Sequence, residues 1–208
     1  MKKNVALGFV PSKMDGSEHE FKSSVSVQLP STYSYRDFLS KILDQGAAQI
    51  CVPCSISAYL NWKENIKNGS KRDNKIDLFQ IYDIRTNQGD GMSFKDAFRF
   101  LRHTGVNSKV GNLKINEYAR LNSISALKSA LVMNGPCVGA LAVYSTKPKF
   151  WEQHEGEELI GYHAISIVGY DEEGFIIRNS WGTGFGDKGY TKLNYNEFDN
   201  LFELWTIL

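Results

Sequence analysis

The sequence predicts an α+β protein in which helices come first along the chain and an antiparallel sheet follows. Apolar residues recur at helical spacing in several segments between residues 51 and 133, whereas runs with the pattern of strands begin at residue 137. Two of these runs flank the short polar stretch 171–174, an arrangement typical of a β-hairpin. A helical lobe packed against a sheet lobe would bury the apolar faces of both.

Composition narrows the class of protein. The chain has 208 residues, of which 42% are hydrophobic and 23% are charged, so one domain or one unit of two lobes can bury a core. A formal net charge of +1 argues against a nucleic-acid-binding protein, which needs a strong positive field. The sequence contains no run of about 18 apolar residues that could cross a membrane. We expect a monomer that binds neither nucleic acid nor a membrane.

Residues 1–28 differ from the rest of the chain. They are polar and show no clear periodicity, so we interpret them as an N-terminal extension rather than as part of the core. Two lysines precede the apolar stretch 5–10, but Pro11 ends this stretch before it reaches the roughly 7–15 residues that a signal peptide requires. We therefore expect no classical signal peptide.

The remaining chain divides into predicted helices and strands. A helix is expected from about Cys51 to Lys67, with Pro53 in its first turn, where a missing N–H costs nothing. Another helix opens at Ser93 and ends before Gly105, the residue type favoured for a left-handed cap. Further helices are predicted at 77–86 and 124–133, and strands at 137–144, 163–170, 175–181, 189–193 and 203–208.

The cysteines are Cys51, Cys54 and Cys137, and this odd, low number argues against a disulfide framework. Cys51 lies at the start of a predicted helix, where the helix dipole and unpaired N–H groups favour the nucleophilic thiolate. A small buried hydrophobic residue is the plainer interpretation of any single cysteine. The spacing of Cys51 and Cys54 also allows a thiol–disulfide oxidoreductase, and the three cysteines with a histidine allow a zinc site.

Several blocks of the sequence resemble the papain-like cysteine peptidases. In one block, DQG (44–46) precedes Cys51 at the family's spacing. The block GYHAISIVGYDEEGFIIRNSWGTGFGDKGYTKL (161–193) is similar to the family's histidine strand and Asn-Ser-Trp-Gly segment, in the same order. LPSTYSYRD (29–37) and FKDAFRFLRHTGV (94–106) resemble the start of the mature enzyme and a helix of its helical lobe.

This resemblance covers residues 29–208 and implies a fold and an activity. The fold would have a helical lobe over about 36–110, a β-barrel-like lobe over about 111–208, and an active-site cleft between them. The activity would be that of a cysteine endopeptidase that acts on a peptide or protein substrate and needs no metal or organic cofactor. An acyl or peptidyl transferase or an isopeptidase would use the same residues, whereas an inactive binding protein is expected to have lost one of them.

The resemblance also implies a role for each of five residues. Cys51 would attack the substrate carbonyl, and His163 would carry the proton. Asn179 would orient the imidazole of His163, and Trp181 would lie over this pair and exclude water. Gln45 would donate a hydrogen bond to the oxyanion.

Substrate-binding positions follow from the same register. Gly91 and Met92 correspond to the residues that bind an extended substrate backbone in this family. Phe94, Ala140 and Ala164 correspond to its main specificity pocket. Because all three are apolar, we expect a hydrophobic or aromatic side chain two residues before the cut.

The chain departs from the family pattern at several positions around the cysteine. Ala48 stands where the family has a disulfide-forming cysteine, so we expect the cytoplasm or another reducing compartment. Gln49 and Ile50 replace small residues, Val52 replaces an aromatic residue, and Phe185 stands where tryptophan is common.

The expected inhibitory propeptide differs as well. Residues 1–28 are too few for the family's helical prodomain. We hypothesise that they lie across the cleft as a short plug and that self-cleavage removes them, as in a zymogen.

Overall fold

The computed structural model describes residues 6–22, 28–69, 71–85 and 91–208. Helices precede most of the sheet, as predicted, and none of the described helices is long and apolar enough to span a bilayer. The elements are β1 (Tyr33–Ser34), α1 (Cys51–Lys67), α2 (Leu78–Tyr82), α3 (Phe94–His103), β2 (Val106–Ser108), β3 (Gly111–Leu113), β4 (Tyr118–Arg120), α4 (Ile124–Asn134), β5 (Cys137–Val143), β6 (Gly161–Tyr170), β7 (Gly174–Arg178), β8 (Tyr190–Asn194) and β9 (Glu203–Ile207). Short 3-10 helices lie at Arg36–Phe38 and Tyr195–Asn200.

Local signals placed the long helices correctly. Helix α1 begins at Cys51 and ends at Lys67, and α3 begins after Ser93, whose hydroxyl accepts the Asp96 N–H at 3.1 Å. Helix α2 is shorter than the predicted 77–86. The Asp77 side chain caps its start, and the helix ends at Tyr82. Residue 86 of that prediction, like residues 1–5 and 23–27 of the predicted extension, lies outside the described residues.

The main sheet is antiparallel and open, with strand order β4-β9-β5-β6-β7-β8, and β1 also pairs with β6. The sheet does not close into the predicted barrel-like form. Closure would require β4 to pair with β8, but these two strands lie at opposite ends of the strand order. The free edge of β4 is instead covered by the N-terminal segment. Arg120 N–H donates to the His19 carbonyl at 2.7 Å, and Phe21 N–H donates to the Arg120 carbonyl at 2.9 Å.

Strand β6 runs through the centre of the molecule and is buried on both faces from His163 onward. Ala164 belongs to the core cluster that includes residues of α1 and α3, whereas Ile165 and Ile167 belong to a second cluster with residues of α4. This alternation follows from the two-residue period of a strand. Ser166 Oγ donates to the Ser55 carbonyl at 2.9 Å and ties β6 to α1.

The turn between α4 and β5 depends on Gly135. Its φ is +107°, and an added Cβ would lie 2.2 Å from the Trp62 ring. Gly111 has a similar φ of +112°, but an added Cβ would meet no atom within 4 Å. The two glycines therefore share a backbone constraint and differ in packing.

We expect Gly135→Ala to lower the free energy of unfolding by about 2 kcal/mol more than Gly111→Ala, because only the former adds overpacking to backbone strain. Urea unfolding of both variants measures the difference. Equal losses would show that Trp62 moves aside without cost.

Candidate active site

Cys51 is the first residue of α1, and its side chain is fully buried. The residue before it, Ile50, supplies no side-chain cap, and Pro53 in the first turn has no N–H. The backbone N–H groups of Cys51 and Val52 therefore point from the helix end toward the thiol region without a helical partner. This is an environment that favours negative charge.

His163 lies on β6 and meets Asn179, the residue that follows β7. Its Nε2 is 2.8 Å from Asn179 Oδ1, which also accepts the Ser180 N–H at 2.7 Å. Because this oxygen accepts both bonds, His163 Nε2 carries a proton and Nδ1 is the basic nitrogen of the neutral ring. Nδ1 has no hydrogen-bond partner within the described part of the chain.

The strand register explains why His163, Asn179 and Trp181 meet. Ser166 pairs with Arg178, and continuing this register would bring Trp181 opposite His163. Residues 179 and 181 then share one face because side chains alternate along an extended chain. The Trp181 and His163 ring centroids are 4.5 Å apart, and Phe150 also packs on both rings. These rings keep water from the His163–Asn179 hydrogen bond.

Gln45 is oriented by the segment that carries Asn179. Its Oε1 accepts the Ser180 hydroxyl at 2.6 Å, and its backbone N–H donates to the Ser180 carbonyl at 2.9 Å. Because Oε1 is held by Ser180, the amide Nε2 faces the cleft. It donates to the carbonyls of Ala6 and Ala48, each at 2.9 Å. Sequence reasoning missed this role of Ser180.

The N-terminal segment comprises residues 6–22 of the described chain, and its first part, which includes the Ala6 carbonyl, lies in the cleft. Met92 N–H donates to the Gly8 carbonyl at 2.9 Å, and Val10 N–H donates to the Met92 carbonyl at 3.0 Å. Gly8 passes so close to Gln49 that an added Cβ would lie 2.0 Å from the Gln49 carbonyl oxygen. Met92 therefore pairs with an extended backbone, and glycine is required at residue 8.

Phe9 fills the predicted pocket. It is 6% exposed and shares a buried cluster with Phe94, Ala140 and Ala164. Its ring centroid is 5.2 Å from that of Phe94 and 5.6 Å from that of Phe202, which the sequence prediction missed. The interpretation of residues 1–28 as lying outside the core is wrong at Phe9, since the apolar stretch 5–10 is too short to show a helical or strand period.

A buried carboxylate, also missed, lies next to this pocket. Glu203 is 2% exposed and pairs in register with Ala140. It accepts the Ser12 N–H at 3.0 Å, the Ser12 hydroxyl, and the Trp205 indole N–H at 2.8 Å. Sequence reasoning found no acidic residue at the pocket, because Glu203 reaches it only through the pairing of β9 with β5.

Burial changes the acid–base properties of the site. It raises the pKa of Cys51 to about 11, and backbone N–H groups at Ala164, Gly8 and Val52 offset only part of this rise. It also lowers the pKa of His163 to about 4, against the opposing effect of the Asn179 hydrogen bond. In this closed structure both groups are therefore neutral near pH 7.

Known proteins share this arrangement of sequence and fold. The family model described as papain family cysteine protease matches residues 68–202. The chain belongs to this family. Cathepsin B-like cysteine proteinase 1 of Haemonchus contortus is 34% identical over 83 residues, which are 36% of this chain and 24% of that protein. Thus the chain matches about a quarter of that relative's length. Cathepsin Q of Rattus norvegicus is 23% identical over 92% of this chain and 69% of its own.

Solved papain-family structures have the same fold. Xylellain, a cysteine protease from Xylella fastidiosa, superposes with a TM-score of 0.83 at 23% identity, covering 100% of this chain and 97% of its own. Procathepsin L2 proteinase from the larval midgut of Tenebrio molitor gives a TM-score of 0.78 at 21% identity, covering 99% of this chain and 78% of its own. The papain-like fold is therefore confirmed.

We expect Gly8→Ala to open the cleft of this papain-family protein, since its Cβ would meet the Gln49 backbone. A cost of about 1.4 kcal/mol already changes an equilibrium tenfold, so alkylation of Cys51 by iodoacetamide should accelerate at least about tenfold. Gly111→Ala is the control: φ is +112° there, at the start of β3, but an added Cβ meets nothing within 4 Å. Equal labelling of the two variants would contradict the assigned path of the segment.

The pH dependence of labelling provides a second prediction. In the wild type, the thiolate fraction should rise about tenfold per pH unit until the pH reaches the Cys51 pKa of about 11. In Gly8→Ala, solvent and an ionised His163 should lower that pKa, so the labelling rate should level off well below pH 9. Matching profiles would mean that the segment does not control the Cys51 thiol.

Proposed function

We propose that this chain is a cysteine endopeptidase whose cleft is held closed by its own N-terminal segment. The observation that supports this most directly is the Ala6 carbonyl, a peptide carbonyl that accepts the Gln45 Nε2–H at 2.9 Å beside the start of α1. Gln45 is thus positioned to bind the carbonyl oxygen of a peptide. Such a donor stabilises the oxyanion that develops when a nucleophile attacks.

The proposed reaction begins with a proton on His163 Nδ1 and a thiolate at Cys51. The sulfur attacks the substrate carbonyl carbon, and the oxygen becomes an oxyanion held by Gln45 Nε2 and the Cys51 N–H. The C–N bond then breaks as His163 Nδ1 gives its proton to the leaving amine, which leaves a thioester. Water attacks the thioester while Nδ1 takes its proton, the C–S bond breaks, and the thiolate returns.

Asn179 and Trp181 have supporting roles in this proposal. The Asn179 hydrogen bond keeps Nε2 protonated and directs Nδ1 toward the reacting atoms. Trp181 and Phe150 keep that bond dry.

Phe9 supports the predicted preference for an aromatic side chain two residues before the cut, because it occupies the Phe94 pocket. The Glu203 side chain lies next to this pocket, so peptides with a basic side chain at that position must be tested as well as peptides with an aromatic one.

The direction of the segment explains how it closes the cleft without being a substrate. A substrate with its pocket residue two positions before the cut would pass the Phe94 pocket first and Gln45 second. The segment contacts Gln45 at Ala6 and reaches the pocket afterward, at Phe9. It therefore runs in the opposite direction, and the groups that would attack a substrate do not face a productive bond.

A thiol–disulfide exchange function receives less support. It would need Cys54 as a reactive second thiol, but Cys54 is buried, and burial raises its pKa. Cys51, Cys54 and Cys137 are all free.

The test uses the full-length Gly8→Ala chain and peptides that place phenylalanine, leucine or arginine two residues before the cut. We expect hydrolysis of the aromatic peptide, with no turnover after Cys51→Ala. Gln45→Ala should lower kcat about 10²–10³-fold, because one oxyanion donor is lost. Gln153→Ala is the control, since the Gln153 side chain lies in an exposed loop and, among the described residues, donates to the Glu157 carbonyl.

The results separate the candidate activities. A Gly8→Ala chain whose Cys51 labels rapidly but that cleaves no peptide would refute the peptidase proposal. Aminolysis that exceeds hydrolysis when an amine is added would favour a transferase.

A further inference from the structure

Lys95, in the first turn of α3, holds the N-terminal segment at a point away from Cys51. Its side chain is 5% exposed. Its ammonium group donates to the Lys13 carbonyl at 3.0 Å, to Asp15 Oδ2 at 3.2 Å and to Glu18 Oε1. An ammonium has three N–H donors, and all three are used by this one stretch of the segment. We call Lys95, Lys13, Asp15 and Glu18 the Lys95 clamp.

The acidic turn of the clamp is organised by its own hydrogen bonds. Glu18 accepts the N–H groups of Asp15 and Gly16, each at 3.0 Å, and Asp15 accepts the Ser17 N–H at 3.0 Å. Gly16 adopts a φ of +80° that permits this turn. The two carboxylates are therefore brought together before they meet Lys95, which reduces the entropy lost on closing.

The clamp and the cleft are mechanically connected through α3. Phe94 contacts Phe9 in the pocket, and the next residue, Lys95, binds the acidic turn. On the segment, between Phe9 and the acidic turn, Ser12 bonds to Glu203 and accepts the Lys95 backbone N–H at 3.3 Å. Because the segment is covalently attached, holding its acidic turn keeps Phe9 at a high effective concentration near the pocket.

The geometry points to a regulatory latch: the Lys95 clamp keeps the segment over Cys51, and its release opens the cleft while the segment stays attached. This inference rests on the proposed function and concerns the regulation of the same site. A buried ammonium without its carboxylates is strongly disfavoured, so loss of the pairing favours the open state, in which Lys95 is solvated. Proteolytic removal of the segment is then not required for activity.

Acid of pH 4–5 does not release this latch. Ser17 and Lys95 hold the pKa of Asp15 well below its ordinary value, and the Lys95 hydrogen bond lowers the pKa of Glu18 to about 2. A lowered carboxyl pKa stabilises the closed form above the ordinary pKa, and this contribution disappears only as the pH falls through the lowered value.

Other charged groups near the clamp are few among the described residues. The Arg99 guanidinium lies 3.7 Å from Asp15 and supports its ionised form. Asp96 accepts the Ser93 hydroxyl, and Glu203 accepts Ser12.

The test compares full-length Lys95→Met with Lys192→Met. Lys192 also pairs with two carboxylates, those of Asp171 and Glu173, but in the β7–β8 region far along the chain. We expect Lys95→Met to raise both Cys51 labelling and peptide hydrolysis at least about tenfold at pH 6.5, with an intact mass that still includes the segment. Lys192→Met should match the wild type, and the wild type should label slowly at pH 4.5.

A second variant, Asp15→Asn with Glu18→Gln, leaves α3 unchanged and should open the cleft to the same degree if Lys95→Met fails to fold. Wild-type labelling in either folded variant, activity only after mass loss, or rapid wild-type labelling at pH 4.5 would overturn the latch. Faster labelling without hydrolysis would leave the latch standing and refute the peptidase. Hydrolysis by Gly8→Ala but not by either clamp variant would overturn the latch and leave the peptidase proposal standing.

Discussion

Helix α1 lies against strand β6, and the Ser166 hydroxyl bonds to the Ser55 carbonyl at 2.9 Å between them. The two elements carry Cys51 at the start of the helix and His163 near the start of the strand. Because β6 is buried on both faces, neither element can shift without breaking one of two cores. The relative position of thiol and imidazole is therefore a consequence of packing, and the rest of the site is arranged around it.

The N-terminal segment closes the site by supplying the groups that a peptide would supply. The Ala6 carbonyl satisfies Gln45, the Gly8 and Val10 backbone satisfies Met92, and Phe9 fills the pocket. Cys51 and His163 are buried beneath these contacts, and burial favours the neutral thiol and imidazole over the ion pair that catalysis would need. In the proposed function, steric blocking and loss of charge are two effects of one layer of chain.

Sequence reasoning succeeded where the signal was local. The start of α1 at Cys51, the Ser93 cap of α3 and the β6–β7 hairpin follow from periodicity, capping and turn residues. The resemblance supplied Asn179 as the partner of His163, and the two are 2.8 Å apart. Sheet closure was predicted wrongly, because whether two distant edges pair depends on the path of the whole chain.

The sequence by itself determined the elements, the papain-like class and the reactive residue types, since helical and strand periods and short motifs act over a few neighbouring positions. Only the tertiary structure decided that Lys95 binds Asp15 and Glu18, that Glu203 binds Ser12, and that Phe9 enters the core. These contacts join residues separated by tens to nearly two hundred positions. A polar segment without periodicity gives no local sign of such partners, because its order comes from the surface on which it lies.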